Sequence, residues 1–216
     1  MSTKTAKGRQ TAPAGRSRSG KKGGKSLAPV KVGKDRNWGP IIMFTVVGLI
    51  AAGIVGWAAW GVIGEKTWEE RAAAIEGIVN YRETDPEMLT SQHVQGTVDY
   101  QVAPPVGGNH NDYWQNCTGM VYDAPIANEH AVHSLEHGAV WVTHSPDLPA
   151  DQVASLRSRV EGTDYLFMSP FDGLDSPISL QAWGYQLKLD SADDPRIDEF
   201  IQALRLNAAI EAGAVC

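Results

Sequence analysis

The sequence predicts an α+β domain carried outside a membrane by one apolar helix, and three observations predict it. First, no charged residue lies between Asn37 and Gly64, and "IIMFTVVGLIAAGIVGWAAWGVIG" is almost wholly apolar. Second, charge reverses across that run. Eleven of nineteen basic residues and one acid precede it, while eight basic residues and twenty-four acids follow, so a net charge of −6 hides halves of +10 and −16. Third, the stretch after residue 64 alternates β-branched and aromatic runs with amphipathic segments that carry helix start and stop residues.

The apolar run justifies the first element. At 1.5 Å per residue, its 24 residues span about 36 Å, more than the roughly 30 Å hydrocarbon core of a bilayer. Trp38 stands near one end and Trp57, Trp60 and Trp68 toward the other, as interfacial aromatics do. The expected division is a basic, disordered arm over 1–37, a transmembrane helix over 38–64 and an outer domain over 65–216. The excess of Lys and Arg before the span places the N-terminus in the cytoplasm and the outer domain on the far side. The apolar stretch is too long for a signal peptide and no A-x-A-like site closes it, so it reads as an uncleaved anchor in the cell membrane. The Gly-, Ser- and Lys-rich arm reads as a membrane-orienting segment facing lipid headgroups, and no nucleic-acid partner is expected. Gly48, Ala52 and Gly56 set small residues along one stripe of the span, the pattern that lets two such helices approach as a homodimer or within a larger membrane complex.

Within the outer domain, "EKTWEERAAAIEGI" is helix-forming and is expected to prolong the membrane helix. The Pro- and Gly-rich stretch to "GGNHN" reads mostly as loop. "GAVWVTH" reads as a buried strand. "PADQVASLRSRVEG" opens on proline and acid and ends at glycine, which predicts a helix whose Val153, Leu156 and Val160 dock on a sheet. "DYLFMSP" and "ISLQAWGYQLKL" read as strands, and "DPRIDEFIQALRLN" as a closing amphipathic helix. The order strand–helix–strand–strand–helix is that of a compact α+β domain. Both cysteines, Cys117 and Cys216, fall on the outer side, where an even pair is expected to be a disulfide.

The chemistry-bearing residues crowd into "GNHNDYWQNCTGMVYDAPIANEHAVHSLEHGAVWVTH", which holds five of the six histidines. If "NEHAVHSLEH" is helical, His130, His133 and His137 share a face, and His133 and His137 have the i, i+4 spacing that brings two imidazoles to one ion. An imidazole binds through one ring nitrogen while an acceptor fixes the other, a role open here to Glu129, Glu136 and Asp123. Met120 and Met168 add soft thioethers that favour copper. The expected metal ligands are therefore His110, His133 and His137, assisted by Met120 or Met168, with copper ahead of zinc as the cofactor, in metal handling. Two alternatives stand beside this. In one, the histidines are internal hydrogen-bonders of a structural or interaction module in a membrane complex, with no metal. In the other, "HSLEH" is an H-x-x-E-H metallohydrolase motif in which His133 and His137 hold zinc and Glu136 activates water. Gly138 and the strand that follows at once argue that His137 ends any helix there. No G-x-S-x-G elbow surrounds Ser134, so nothing supports nucleophilic catalysis and no catalytic residue is assigned.

These segments, with "MSPFDGLDSPISLQAWGYQLKLDSADDPRIDEFI" and the closing Cys216, resemble the actinobacterial domain-of-unknown-function family numbered 3105, over roughly residues 65–216. The resemblance implies a single-pass membrane protein with a small outer domain. It places the family's histidine, cysteine and "LEHG" positions on His110, Cys117, His133, Glu136, His137 and Cys216. It also implies that His130 and His144 stand where other members carry other residues.

Overall fold

A computed structural model describes residues 33, 36–63 and 65–216. The expected basic arm lies almost wholly outside the described residues. Helix α1, Trp38–Ile63, has no buried side chain among those described, and its Trp38–Gly61 stretch is long and apolar enough to cross a membrane. Its one hydroxyl in this stretch, that of Thr45, donates back to the Ile41 carbonyl at 2.8 Å, the way a polar group is satisfied where no water is present.

The helix does not continue through "EKTWEERAAA" as expected. It stops at Ile63, and α2, Trp68–Ala73, starts afresh. The cause is a capping box that propensity alone did not disclose. Thr67 accepts from the Glu70 backbone at 3.2 Å, and Glu70 returns a carboxylate to the Thr67 amide at 2.8 Å. Two amide donors at the helix start are thereby satisfied.

Six strands form one mixed sheet in the order β1-β6-β5-β3-β4-β2. They are β1 (Val79–Asn80), β2 (Thr118–Val121), β3 (Val140–His144), β4 (Leu166–Pro170), β5 (Ile178–Ala182) and β6 (Tyr185–Leu189). Strands β3 and β4 are parallel and joined across α5 (Ala150–Val160), while β3, β5, β6 and β1 pair antiparallel. The run "ISLQAWGYQLKL", expected as one strand, is two. Gly184 takes φ 76°, and a Cβ there would come within 2.6 Å of the Arg82 side chain, so the chain reverses at Trp183–Gly184. Short strands β1 and β2 were not expected. β1 has two residues, and β2 carries a bulge between Thr118 and Met120 that interrupts its alternation.

The sheet has two dry faces, which is why β3, β4 and β5 are buried throughout. Val140, Val142, Leu166, Met168, Ile178 and Leu180 face one way, against α2, α5 and the closing helix α6 (Arg196–Leu204). Trp141 and Phe167 face the other way, stacked with their ring planes 7° apart, against Ala131, Val132 and Leu135 of α4 (Asn128–Glu136). Helix α4 is thus fastened to the sheet by one stripe, which leaves its remaining side chains to the long loop between residues 89 and 117.

The segment after α6 closes over the C-terminal end of α4. The Ile210 and Glu211 amides donate to the Glu136 carbonyl at 3.1 and 3.2 Å, and the Leu206 amide to that of Gly138 at 2.8 Å. A disulfide joins Cys117 to Cys216 with Cα atoms 5.2 Å apart, as the sequence led us to expect. Such a link across 99 residues stabilises by up to about 4–5 kcal/mol in the chain-entropy account.

Gly138 is the hinge of this arrangement. It has φ 96°, and a Cβ there would lie 2.9 Å from that of Ala209 and 3.1 Å from the Leu206 Cα. Gly138→Ala is therefore expected to destabilise the fold by about 1–3 kcal/mol through backbone strain, with the crowding added. Thermal unfolding of the full chain in detergent checks this, and an unchanged midpoint would refute the close packing of the 205–216 segment on Gly138.

Candidate metal centre

Helix α4 ends where the notion of one histidine face breaks down. Its last residue is Glu136, and His137 is the C-cap. His133 and Glu136 turn toward the 89–117 loop, and His137 turns toward the 205–216 segment. His130 instead lies against Tyr113, with ring centroids 6.3 Å apart.

The loop reaches the helix through a short parallel bridge that pairs His93 with His110. The Val94 amide donates to the His110 carbonyl at 2.7 Å, and the His110 amide to that of Gln92 at 3.1 Å. This brings His93, His110, His133 and Glu136 together, each offering a ligand atom within 4.8 Å of every other. Ring centroids of His93, His110 and His133 are 4.8–5.0 Å apart in all three pairings. His110, His133 and Glu136 are buried, and the side chain of His93 is 46% exposed, so the group opens to solvent on one side only. Trp183 lies edge-on behind His110, with centroids 6.0 Å apart.

Backbone carbonyls fix the ring orientations. Nδ1 of His110 donates to the Gly108 carbonyl at 2.9 Å, Nδ1 of His133 to that of Asn111 at 2.7 Å, and Nδ1 of His137 to that of Val215 at 2.8 Å. A neutral imidazole that donates from Nδ1 keeps its lone pair on Nε2. Two of the three carboxylates expected in the orienting role are employed elsewhere, and the third, Glu136, stands in the group itself. Glu129 accepts from the Val98 amide at 2.8 Å, and Asp123 pairs with Arg157 at 3.2 Å. Carbonyls prevail because the loop and the closing segment pass beside the rings with unpaired backbone acceptors.

Nε2 of His110 is fully buried, 2.8 Å from Oε2 of Glu136. The carboxylate is close enough to the ring for strong charge coupling. Burial opposes charge on His110, yet the Glu136 carboxylate, with the Gly108 carbonyl and Asp112, outweighs it and holds the imidazole above the usual histidine pKa. Burial alone would push Glu136 up, but His110, and after it His133 and His93, bring its carboxyl below the usual range. Burial pushes His133 down. The Asn111 carbonyl opposes this, and the other histidines add to the lowering.

Of the ligands expected from sequence, His110 and His133 stand in this group. His137 stands beside it, 4.6 Å from His133 by centroids, in a second set with Glu211. Met168 faces α5 and α6, with the sheet between it and α4. Met120 sits on edge strand β2, 40% exposed. His144 is buried at the end of β3, its Nδ1 bonded to the Ser145 carbonyl at 2.8 Å. Sequence reasoning missed His93, which lies outside the dense stretch and meets it only through the bridge. It also did not count among the candidate ligands Glu136, which it cast as an orienting or catalytic group, or Glu211, an acid among many.

Comparison with known proteins matches residues 93–216 to the family described as "Protein of unknown function (DUF3105)". The chain belongs to that family. The matched stretch begins at His93 rather than near residue 65 and contains every residue of both groups. No curated protein and no solved structure matches the chain.

The charge coupling generates a pH test. Glu136, lowered in the fold, contributes stability above its unfolded pKa and loses it as pH falls through the folded value. His110, raised in the fold, contributes below its unfolded pKa and loses it as pH rises through the folded value. In metal-free protein the stability difference between wild type and Glu136→Gln is therefore expected to be greatest between about pH 4.5 and 6.5 and to shrink at higher pH. Thermal melts across that range check it, and a pH-independent difference would show that the two side chains are not coupled.

Proposed function

We propose that the outer domain binds a divalent transition-metal ion through His93, His110, His133 and Glu136. The observation that carries this reading is the convergence of three imidazoles and a carboxylate, with the ring orientations of His110 and His133 set by backbone acceptors. A purely structural role accounts for the Nδ1 bonds. It does not call for a third imidazole and a carboxylate to gather with His110 and His133 so that their ligand atoms lie within 4.8 Å of one another. A cation held among these atoms would take up the imidazole lone pairs and the carboxylate charge together. Ring fixation through the second nitrogen is the usual companion of imidazole ligation.

The donor set decides among ions. Three nitrogens and one oxygen suit Cu(II) and Zn(II), whereas Cu(I) favours thiolates and thioethers, and both cysteines are in the disulfide. Copper stands ahead of zinc because Cu(II) binds nitrogen sites most tightly of the divalent first-row ions. Glu136 stands within the donor group, which favours holding the ion over the H-x-x-E-H arrangement. The disulfide suggests an oxidising compartment. With the apolar helix and the charge reversal across it, this supports a membrane-anchored metal-handling domain facing away from the cytoplasm.

Titration of Cu(II), Zn(II) and Cu(I) into the full chain in detergent tests the reading. One divalent ion per chain is expected, with Cu(I) weaker. His133→Ala is expected to weaken binding by about 100-fold or more, beyond the range for loss of an orienting partner. Affinity should fall as pH drops, because a proton on His110, whose pKa is raised, must leave before the ion binds. Equal affinity in wild type and His133→Ala would sink the proposal.

A further inference from the structure

Three further ligand atoms, on His133, His137 and Glu211, lie within 4.8 Å of one another. His133 is therefore common to both groups. Its Nδ1 is committed to the Asn111 carbonyl, so Nε2 is the nitrogen it can offer to either. One imidazole nitrogen holds one ion, and the two positions cannot be filled together through His133.

The two groups differ in access and in what supports them. The inner group is mostly buried. In the outer one Glu211 is 61% exposed, and its Oε2 lies 3.6 Å from Nε2 of His137. Both ligands that distinguish the outer group depend on the 205–216 segment. Glu211 belongs to it, and Val215 supplies the carbonyl that orients His137. That segment is pinned at Cys216 by the disulfide and at Ala214 by the Tyr165 hydroxyl, which donates to its carbonyl at 2.8 Å. The half-exposed indole of Trp114 flanks this side, 5.7 Å from His133 and 5.4 Å from His137 by centroids.

We propose that His133, His137 and Glu211 form an outer exchange position, through which an ion enters and leaves the inner group. The proposal rests on the metal-binding reading above. Passage is a ligand exchange with no change of oxidation state. His133 stays bound while Glu211 and His137 let go and His93, His110 and Glu136 take their place. Release runs the same steps backward and ends with Glu211, the most exposed of the ligands, open to a chelating acceptor. The Cys117–Cys216 disulfide, by holding the segment, keeps the outer position assembled.

Cu(II) loading, and its removal by EDTA, followed by stopped-flow absorbance on the full chain in detergent, test this. Glu211→Gln is expected to slow both by about tenfold while the equilibrium affinity stays within about threefold, since the inner ligands are untouched. Replacing both cysteines of the disulfide, Cys117→Ser with Cys216→Ser, should slow both as well. A chain carrying His93→Ala and His110→Ala should still bind one Cu(II), about 100-fold or more weaker, with fewer nitrogen couplings in its electron paramagnetic resonance spectrum than wild type. Adding Glu211→Gln should abolish that residual binding. Because His110 is buried, circular dichroism accompanies this variant, and His93→Ala alone serves if the pair unfolds; it should then show weakened affinity through faster removal, with loading at the wild-type rate. Wild-type rates in Glu211→Gln, or two ions per wild-type chain, overturn the exchange position and leave the inner site standing. Failure of the wild type to bind either Cu(II) or Zn(II) overturns both.

Discussion

Three hydrogen bonds from Nδ1 to backbone carbonyls govern the chemistry of this domain. Once His110, His133 and His137 have given that nitrogen to Gly108, Asn111 and Val215, each ring has one nitrogen left and little freedom to aim it. The carbonyls come from the 89–117 loop and from the 205–216 segment, far apart in sequence. The site is consequently a product of tertiary packing: moving either segment would turn a ring before it broke a contact in the core. This is the preorganisation that a ligand set needs, supplied by main chain and not by a shell of carboxylates.

What holds those segments is the second face of the sheet. Trp141 and Phe167 form a flat platform, and α4 rests on it through Ala131, Val132 and Leu135. The same helix turn that buries Leu135 presents Glu136 to one side and His137 to the other. "LEHG" thus carries four jobs in four residues: core contact, carboxylate, helix cap and the positive-φ position on which the closing segment packs. The disulfide anchors that segment beside the cap, which links its redox state to the setting of His137 without either sulfur touching the ligand group.

Much of this was legible in the sequence wherever periodicity or a local rule applied. The buried strand β3, helices α5 and α6, the paired cysteines and the candidacy of His110, His133 and His137 follow from short-range pattern. Failures occurred where structure depends on partners distant in the chain. His93 has no local motif, and its value arises from one backbone bridge to His110. Strand β2 is interrupted by a bulge, and the turn at Gly184 is enforced by Arg82 from about a hundred residues away. The thioether ligands were inferred from nearness in sequence, yet alternation on β4 sends Met168 to the opposite face of the sheet from α4. The capping box at Thr67 was readable and overlooked, because an apolar helix followed by helix formers suggests continuity.

The site also runs against the fold that carries it. Three imidazoles and a carboxylate lie within a few ångströms of one another, and charge on His133 is disfavoured by burial and by the neighbouring rings. Apolar residues of similar volume would fill the same space at lower cost, as replacements for buried ionic groups commonly do. Such a local conflict between polarity and burial is what a functional site looks like when its ligand supplies the missing charge. The surrounding devices make sense as compensation: a platform of stacked aromatics, a long-range disulfide and a glycine hinge surround the one region that stabilises itself least. A cation bound only by the folded state would add its binding free energy to that balance, so stability and function at this site are governed by the same atoms.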